Sequence, residues 1–332
     1  MKKDAPGFNV IKEMLETSGA IRNFNPEAVK PFAKLAENYD ALFLAGEGSS
    51  RMFPAGHAAW LSLINEGLTK VFSAGSTEAL LFDLKRCAVF AATNSGRTKE
   101  TVRLLKKLGS QGHKGLFAIT NSPGTPVIDA ARMSYILSCG MEKAIPATKS
   151  LIEQALFYHA LIFEMAGISL DGLDETASTF DETLSRDVSP EIVKLTAGAS
   201  FIYFAGWNNG VAEELSLKAG ELLRRKTRYL DGTLLLHGIE EIMDRGELIV
   251  LIDPFEEEED IIRKRLLEDI GVNVIAISER QTIFPTILIP DAPGFECYIQ
   301  MAAAWNLLIE ASLMLGLDID HPARVKKVGN IY

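Results

Sequence analysis

Three cysteines, Cys87, Cys139 and Cys297, are all that the chain carries. Scattered, odd in number and mostly in apolar settings, they exclude a disulfide scaffold and are expected as buried, reduced thiols of a cytoplasmic protein. Long apolar runs are missing as well. No stretch reaches transmembrane length, and Met1-Lys2-Lys3-Asp4-Ala5-Pro6 leads into no apolar signal core, so no membrane partner is expected. Basic residues are in deficit, with 34 Lys plus Arg against 44 Asp plus Glu and a net charge of −10. With no basic stripe, nucleic acid is not an expected partner, and an anionic ligand must be held by local dipoles and a few cations. His57, His113, His159 and His321 have no metal-ligand spacing with carboxylates or cysteines, so no metal is expected. Gly46 and Gly48 begin a dinucleotide fingerprint, but Arg51 stands where its third glycine belongs, and no cofactor is expected.

What is present is a sizeable core and a regular alternation. The chain is 47% hydrophobic and 23% charged, and 332 residues favour two domains of ordinary size. Helical periodicity over residues 8–38 precedes apolar strands at 39–45, 69–74, 88–92, 115–120 and 133–138, with helices around 55–65 and 101–108. A long helix follows from Ala147 to Met165, then a polar linker with a helix over 167–189. The pattern then restarts. Strands are expected at 201–206, 247–252, 273–277 and 286–289, with helices at 209–225, 259–269 and 294–315. Repeated strand–helix units with apolar strands imply parallel sheets covered on both faces, and the halves read as a degenerate repeat. The apolar helices at 147–165 and 294–315 could be either core or an interface between subunits.

One turn organises the first half. Cys87-Ala88-Val89-Phe90 reads as a buried strand, and Val102, Leu105 and Leu108 recur at helical spacing beyond it. Between them lies Thr93-Asn94-Ser95-Gly96-Arg97-Thr98. A strand that turns through small hydroxyl residues into a helix gathers free backbone N–H groups at the positive end of the helix dipole, which suits a phosphate. The same stretch also fits an ordinary Ser/Thr-capped helix. Ser49 and Ser50 make a second hydroxyl-rich turn after the first strand. The corresponding turn of the second half, Asp253-Pro254-Phe255-Glu256-Glu257-Glu258-Glu259-Asp260, is acidic and would repel phosphate, so one phosphate site is expected.

Taken together, these stretches resemble the SIS (sugar isomerase) family, in particular the double-SIS isomerase domain of glucosamine-6-phosphate synthase and related phosphosugar isomerases, deaminases and deglycases. Gly46-Glu47-Gly48-Ser49-Ser50 is similar to that family's first phosphosugar loop, and Thr93 to Thr98 to its Ser-Gln-Ser-Gly-Glu-Thr loop. Glu142-Lys143-Ala144-Ile145-Pro146-Ala147-Thr148-Lys149 is similar to the segment that closes over the sugar. Lys218, Glu221 and His237-Gly238 match in the second half, and Asp318 to Lys327 resembles the catalytic tail. The resemblance implies an α/β fold: two doubly wound, parallel-sheet SIS (flavodoxin-like) domains in tandem plus a C-terminal tail. The boundaries expected are 1–172, 173–317 and 318–332.

The implied substrate ligands are Gly48, Ser49, Ser50, Thr93, Asn94, Ser95, Thr98, Ile145 and Ala147, and the implied catalytic residues are Glu221, His237, Lys327 and Lys218. On residue pattern alone, Glu214 with Lys218 and Glu221 with Arg225 also make an exposed i,i+4 ion-pair ladder, and His237 a structural hydrogen-bond donor. Lys327, beside Lys326, also reads as a solvated tail lysine. In the family role, Glu221 moves a proton between C1 and C2 of an open-chain sugar, His237 opens the ring, and Lys327 forms a Schiff base with the carbonyl or orients it. Arg97 stands where the family has an acid, Leu234 where it has a Glu, and Ala323 where it has an Arg. The glutaminase domain is absent from this sequence, so a glutamine-dependent synthase is not expected. The expected activity is phosphosugar aldose–ketose isomerisation, or deamination or deglycation of a sugar 6-phosphate; a non-catalytic phosphosugar-binding regulator is the alternative. The expected partners are a small-molecule phosphosugar and a second copy of the chain, in a homodimer or dimer of dimers with shared active sites.

Overall fold

A computed structural model describes residues 7–326 together with Ile331. The chain divides into two compact units, one of Gly19–Asp174 with Val325–Tyr332, the other of Met1–Ser18 with Glu175–Arg324.

The first-named unit is built on β1 (Ala41–Gly46), β2 (Lys70–Gly75), β3 (Cys87–Ala92), β4 (Leu116–Thr120) and β5 (Met133–Ile136). All pairings are parallel, in the order β2-β1-β3-β4-β5. Central strands β1, β3 and β4 are covered on both faces and are near-continuous apolar runs, whereas edge strand β2 leaves Lys70 and Phe72 exposed. Helices of the N-terminal region, α1 (Asn9–Leu15), α2 (Thr17–Asn23) and α3 (Lys30–Ala36), are three short pieces where one periodic stretch is read from sequence. α4 (Met52–Ile64), α5 (Ser76–Ala79), α6 (Lys99–Ser110) and α7 (Pro126–Ala130) connect the strands, and α8 (Lys149–Met165) follows the sheet. An aromatic cluster fills one face. Phe90 stacks on Phe117 with centroids 4.6 Å apart, and Phe157 of α8 meets Tyr135 at 4.6 Å and Phe32 at 5.2 Å.

The other unit repeats the scheme with β6 (Phe201–Gly206), β7 (Lys226–Asp231), β8 (Leu248–Ile252), β9 (Asn273–Ser278) and β10 (Thr286–Leu288). Its order, β10-β9-β8-β6-β7, is the first sheet's order read from the other edge. Its helices are α9 (Leu173–Ser185), α10 (Pro190–Gly198), α11 (Val211–Leu223), α12 (Glu259–Ile262), which runs into a π-helical stretch over Arg263–Ile270, and α13 (Glu296–Met314). Two of these elements have no counterpart in the sequence reading. α10 falls in a stretch with no assigned element, and β7 in the gap after the expected helix. β7 is an edge strand, and its Lys-Thr-Arg-Tyr-Leu-Asp shows water one polar side while burying only Leu230 fully, so it lacks an apolar run.

The units differ from the expected boundaries at both chain ends, for a physical reason at the first. The residue before α1, Phe8, makes no side-chain cap. Its orphan amides are met instead by Asp320, whose carboxylate accepts from Asn9 N at 2.6 Å, Val10 N at 3.0 Å and Asn9 Nδ2 at 2.8 Å. This long-range cap ties the first helix to the unit that contains β6–β10. The tail expected over 318–332 also divides, because Ile331 forms an antiparallel bridge with Thr98, a contact internal to the unit that holds both.

α8 is buried from Lys149 through Ile162, and α13 from Cys297 through Ile309. Both helices are therefore covered within one chain, which removes them as open subunit interface. Of the cysteines, Cys297 is buried as expected, while Cys87 and Cys139 are half-buried; all three are free thiols. Among the described residues, no helix is long and apolar enough to cross a membrane.

Within the first sheet's unit, α4 and α8 bring His57 and His159 together, with ring centroids 5.4 Å apart. Phe53 stacks on His57 at 5.6 Å and Phe163 packs against His159 at 4.4 Å. Burial pushes the His57 imidazole down to about 3 and holds His159 well below the ordinary histidine value. The unfolded chain takes protons near pH 6.5 that the folded chain refuses, so stability is full above that pH and declines as pH falls toward 3. Urea unfolding from pH 7.5 to 5.5, above the carboxylate range, should show a loss approaching ~1.4 kcal/mol per pH unit for each histidine at the acid end. His57→Leu should flatten that slope; an unchanged slope would mean that other groups set it.

Candidate phosphate cradle and active-site residues

Strand order fixes where a ligand can sit. β2 lies on one side of β1 and β3 on the other, so chain direction reverses between β1 and β3 and a crevice opens beyond their carboxyl ends. The loops leaving these two strands, 47–51 and 93–98, are the two hydroxyl-rich turns. Gly46 shows how closely they approach: a Cβ on it would lie 2.9 Å from the Ser50 carbonyl oxygen and 3.2 Å from that of Ala92. Gly48–Ser50 form one 3-10 turn, with Gly48 at φ +55°. Gln154 of α8 donates its amide to the Ser50 carbonyl and fixes that loop from behind. Glu47 reaches sideways, its carboxylate accepting from Ser76 N at 2.9 Å, and burial raises its pKa.

The second turn has its hydroxyls in one cluster. Thr93 Oγ1 is 2.7 Å from Thr98 Oγ1 and 3.5 Å from Ser95 Oγ, which itself accepts from Arg97 N at 3.2 Å. Thr93 is buried and Ser95 and Thr98 half-buried, whereas Arg97 is exposed. Thr98 is the N-cap of α6, a twelve-residue helix, and its side chain makes no cap hydrogen bond to the first amides. The arrangement can bind an oxyanion through hydroxyls, helix amides and the dipole together. Ile145 and Ala147 are half-buried on the segment after β5. Asn94 turns away from the hydroxyls, donating Nδ2 to Glu142 Oε2 at 2.9 Å.

In the matching position of the second sheet, beyond β6 and β8, the turns carry aromatic and acidic residues. Trp207 donates its indole N–H to the Asp253 carbonyl at 3.0 Å and packs on Phe255 with centroids 4.2 Å apart. Asp253 sits at φ +48°, and Arg280 binds the Pro254 carbonyl at 2.8 Å and pairs with Glu259 at 2.5 Å. Acidity was the expected reason for a single phosphate site. The acidic turn also carries an aromatic contact, Phe255 against Trp207.

Lys218 and Glu221 lie on α11 in this second unit. The ladder foreseen there as exposed is half right: Lys218 Nζ is 3.2 Å from Glu214 Oε1, but both side chains are wholly buried. Glu221, nearly so, brings Oε2 to 3.6 Å from the same ammonium. Arg225 donates instead to the Ala197 carbonyl at 3.0 Å. Lys218 thus bridges Glu214 and Glu221 in a largely buried place, an arrangement whose desolvation is costly and which is common at functional sites. His237 follows the 3-10 turn Leu234–Leu236; Leu235 and Leu236 are buried, while the imidazole is exposed, with Nε2 3.4 Å from Thr233 Oγ1. Arg265 holds the turn, donating to the Leu236 carbonyl at 3.3 Å and pairing with Glu240. Lys327 lies outside the described residues. Glu142 escaped the expected site; its only signal in sequence is the motif it opens.

Residues 37–163 match the model of the SIS domain. The chain carries a SIS domain over those residues, and its two parallel five-stranded sheets are those of the α/β class that the motifs implied. It is 25% identical, over 98% of its length, to glutamine–fructose-6-phosphate aminotransferase [isomerizing] of Methanocaldococcus jannaschii, and 22% identical, over 96%, to that of Methanococcus maripaludis. It spans 31% and 56% of the lengths of these curated relatives. Among solved structures, the C-terminal domain of glucosamine-fructose-6-phosphate aminotransferase from Francisella tularensis has a TM-score of 0.80 at 18% identity, over 97% of this chain and 100% of that one. Tagatose-6-phosphate ketose/aldose isomerase from Escherichia coli gives 0.80 at 17% identity, covering 98% and 99%. Glucosamine-6-phosphate deaminase from Thermotoga maritima gives 0.76 at 20%, covering 96% and 98%. Likeness at this identity establishes a shared fold.

Gly96 decides whether the cradle can form. Its φ is +66°, and an added Cβ would lie 2.1 Å from Thr125 Oγ1 and 2.6 Å from Thr125 Cβ. Gly124 has nearly the same φ, +64°, with nothing within 4 Å. Gly124→Ala should therefore cost only the left-handed strain, ~1–2 kcal/mol, and Gly96→Ala about 1–3 kcal/mol more. Urea unfolding of the two variants side by side checks this; equal losses would mean that the Thr125 contact relaxes freely.

Proposed function

We propose that the chain is an enzyme acting on a sugar 6-phosphate, as an aldose–ketose isomerase or as an amino sugar phosphate deaminase or deglycase. The observation that carries this reading is the hydroxyl cluster of Thr93, Ser95 and Thr98 at the open N-terminus of α6, beside the Ser50 turn. The reading assigns the phosphate to Ser50, Thr93, Ser95 and Thr98 and to the amides of the two turns, with Gly48 and Ser49 shaping the first. Ile145 and Ala147 contact the sugar through their main chain. The relatives' names support the substrate class, since they act on fructose 6-phosphate, tagatose 6-phosphate or glucosamine 6-phosphate.

In the mechanism that follows, Glu221 takes the proton from C2 of the open-chain sugar and returns it to C1, through an enediol or enolamine. Lys218, held between Glu214 and Glu221, aims that carboxylate and offsets its charge. His237, exposed on its turn, opens the ring, and Lys327 engages the sugar carbonyl. An imidazole presented outward suits service to the active site of a second copy, and we assign the protein to a homodimer or dimer of dimers with shared sites. A soluble, cytoplasmic setting accords with this metabolite chemistry.

Glucosamine 6-phosphate, fructose 6-phosphate and tagatose 6-phosphate should be assayed for ammonia release and for ketose–aldose exchange. Turnover of one of them is expected, with Glu221→Gln lowering kcat by roughly 10²–10⁴-fold while binding persists. Binding without turnover in the wild type would replace the enzyme by a phosphosugar-binding regulator. Co-refolding Glu221→Gln with His237→Ala tests the shared site: mixed dimers should regain activity in one of their two sites. No recovery in proven mixed dimers would place His237 in its own chain's site.

A further inference from the structure

We propose that Glu142 is a positioning residue, whose carboxylate registers the phosphate turn against the neighbouring segment 143–147. The proposal rests on the reading of that turn as a sugar-phosphate cradle. Glu142 lies between β5 and α8 and is only 6% exposed. Five donors converge on it. Oε1 accepts from Thr148 N at 2.8 Å, Thr148 Oγ1 at 3.0 Å and Ser150 N at 3.0 Å. Oε2 accepts from Ser150 Oγ at 2.7 Å and from Asn94 Nδ2 at 2.9 Å.

The chemistry explains why a carboxylate stands there. All five groups donate, and only an ionised carboxylate offers acceptors on both oxygens with no N–H of its own. The charge lies at the N-terminus of a seventeen-residue helix, whose N-cap Thr148 makes no side-chain cap. Four of the bonds serve α8. The fifth has a different consequence. Asn94 sits in the phosphate turn, and its carbonyl accepts from Asn121 N at 3.1 Å and Thr120 Oγ1 at 3.2 Å. Asn121 in turn donates Nδ2 to the Gly140 carbonyl at 2.7 Å. Segment 141–147 is thereby anchored before its start, at Gly140, and at Glu142, both times to groups of the turns after β3 and β4. Facing an acceptor-only carboxylate, the Asn94 amide must turn its N–H₂ toward Glu142. Asn94, expected as a substrate ligand, thus serves as the tether. A sugar whose phosphate is held on the turn then meets the main chain of residues 143–147 in a single register.

Two probes separate this role from a purely structural one. Inorganic phosphate uses the cradle alone, whereas fructose 6-phosphate also needs the segment. Glu142→Gln should lower the affinity for fructose 6-phosphate by roughly 10–100-fold, the scale on which ångström-level misplacement acts, and that for inorganic phosphate less than about threefold. Asn94→Asp sets two carboxylates against each other and should lower the ratio of the two affinities similarly. The double variant Asn94→Asp with Glu142→Gln restores a donor facing an acceptor, and the ratio should recover at least tenfold. An unchanged ratio in Glu142→Gln, a parallel loss of both affinities, or no recovery in the double variant would overturn the proposal. A wild type that binds inorganic phosphate but no hexose 6-phosphate would overturn the cradle reading instead. Amide hydrogen exchange then decides the tether without any sugar: Asn94→Ala, which leaves the α8 cap intact, should speed exchange over residues 141–150. Exchange as slow as in the wild type would sink it.

Discussion

The reversal of strand order between β1 and β3 is the constraint from which the candidate site follows. It leaves the carboxyl ends of two adjacent strands with connections departing in opposite directions, and it puts two turns side by side. Those turns approach only because the residues at the contact are small. Gly46 has no room for a Cβ between Ser50 and Ala92, and Gly96 none against Thr125. The turn after β3 gathers three hydroxyls, those of Thr93, Ser95 and Thr98, at the start of α6, and the close approach sets the Ser50 turn beside them.

The second sheet is a natural control, having the same strand order and the same crevice position. Gly206 closes on Ile252 as Gly46 does on its neighbours, with an added Cβ only 2.5 Å from the Ile252 carbonyl oxygen. What differs is the make-up of the turns. Trp207 and Phe255 stand on the turns after β6 and β8, where the first sheet has Ser49, Ser50 and the hydroxyl turn, and the indole satisfies the Asp253 carbonyl. The two halves thus share an architecture, while the small hydroxyl residues at the turn after the third strand are found in the first half and acidic residues in the second. The second half carries its own chemical group, the buried Glu214–Lys218–Glu221 set.

Buried carboxylates recur as structural joints. Glu142 gathers five donors, and Glu153, wholly buried on α8, gathers Tyr135 Oη at 2.9 Å, Ser138 N at 2.7 Å, Ser138 Oγ at 2.8 Å and Cys139 N at 2.7 Å. Asp320, half-buried, does the same for the start of α1 across 311 residues of sequence. Each replaces water by several fixed donors, which is the condition under which burying a carboxylate is tolerable. Loss of one such anion strands all its donors at once, so these joints hold loops more firmly than their length suggests.

Much was legible in the residues themselves. Apolar runs of strand length alternating with helical periodicity specified two doubly wound sheets, because strands buried on both faces must be apolar throughout. Small hydroxyl residues between a strand and a helix marked the turn after β3 as the candidate site, because turn chemistry is local. β7 was not legible, because an edge strand needs no apolar run. Nor was the burial of Lys218 and Glu214, since spacing on a helix tells which residues share a face and not what covers it. The role of Glu142, the Asp320 cap and the Trp207 hydrogen bond join residues from 46 to 311 positions apart. The sequence by itself determined the periodic elements and the local turn chemistry, which depend on near neighbours. Only the tertiary structure decided which charges are buried and which amide faces which carboxylate, because those depend on what the folded chain brings next to them.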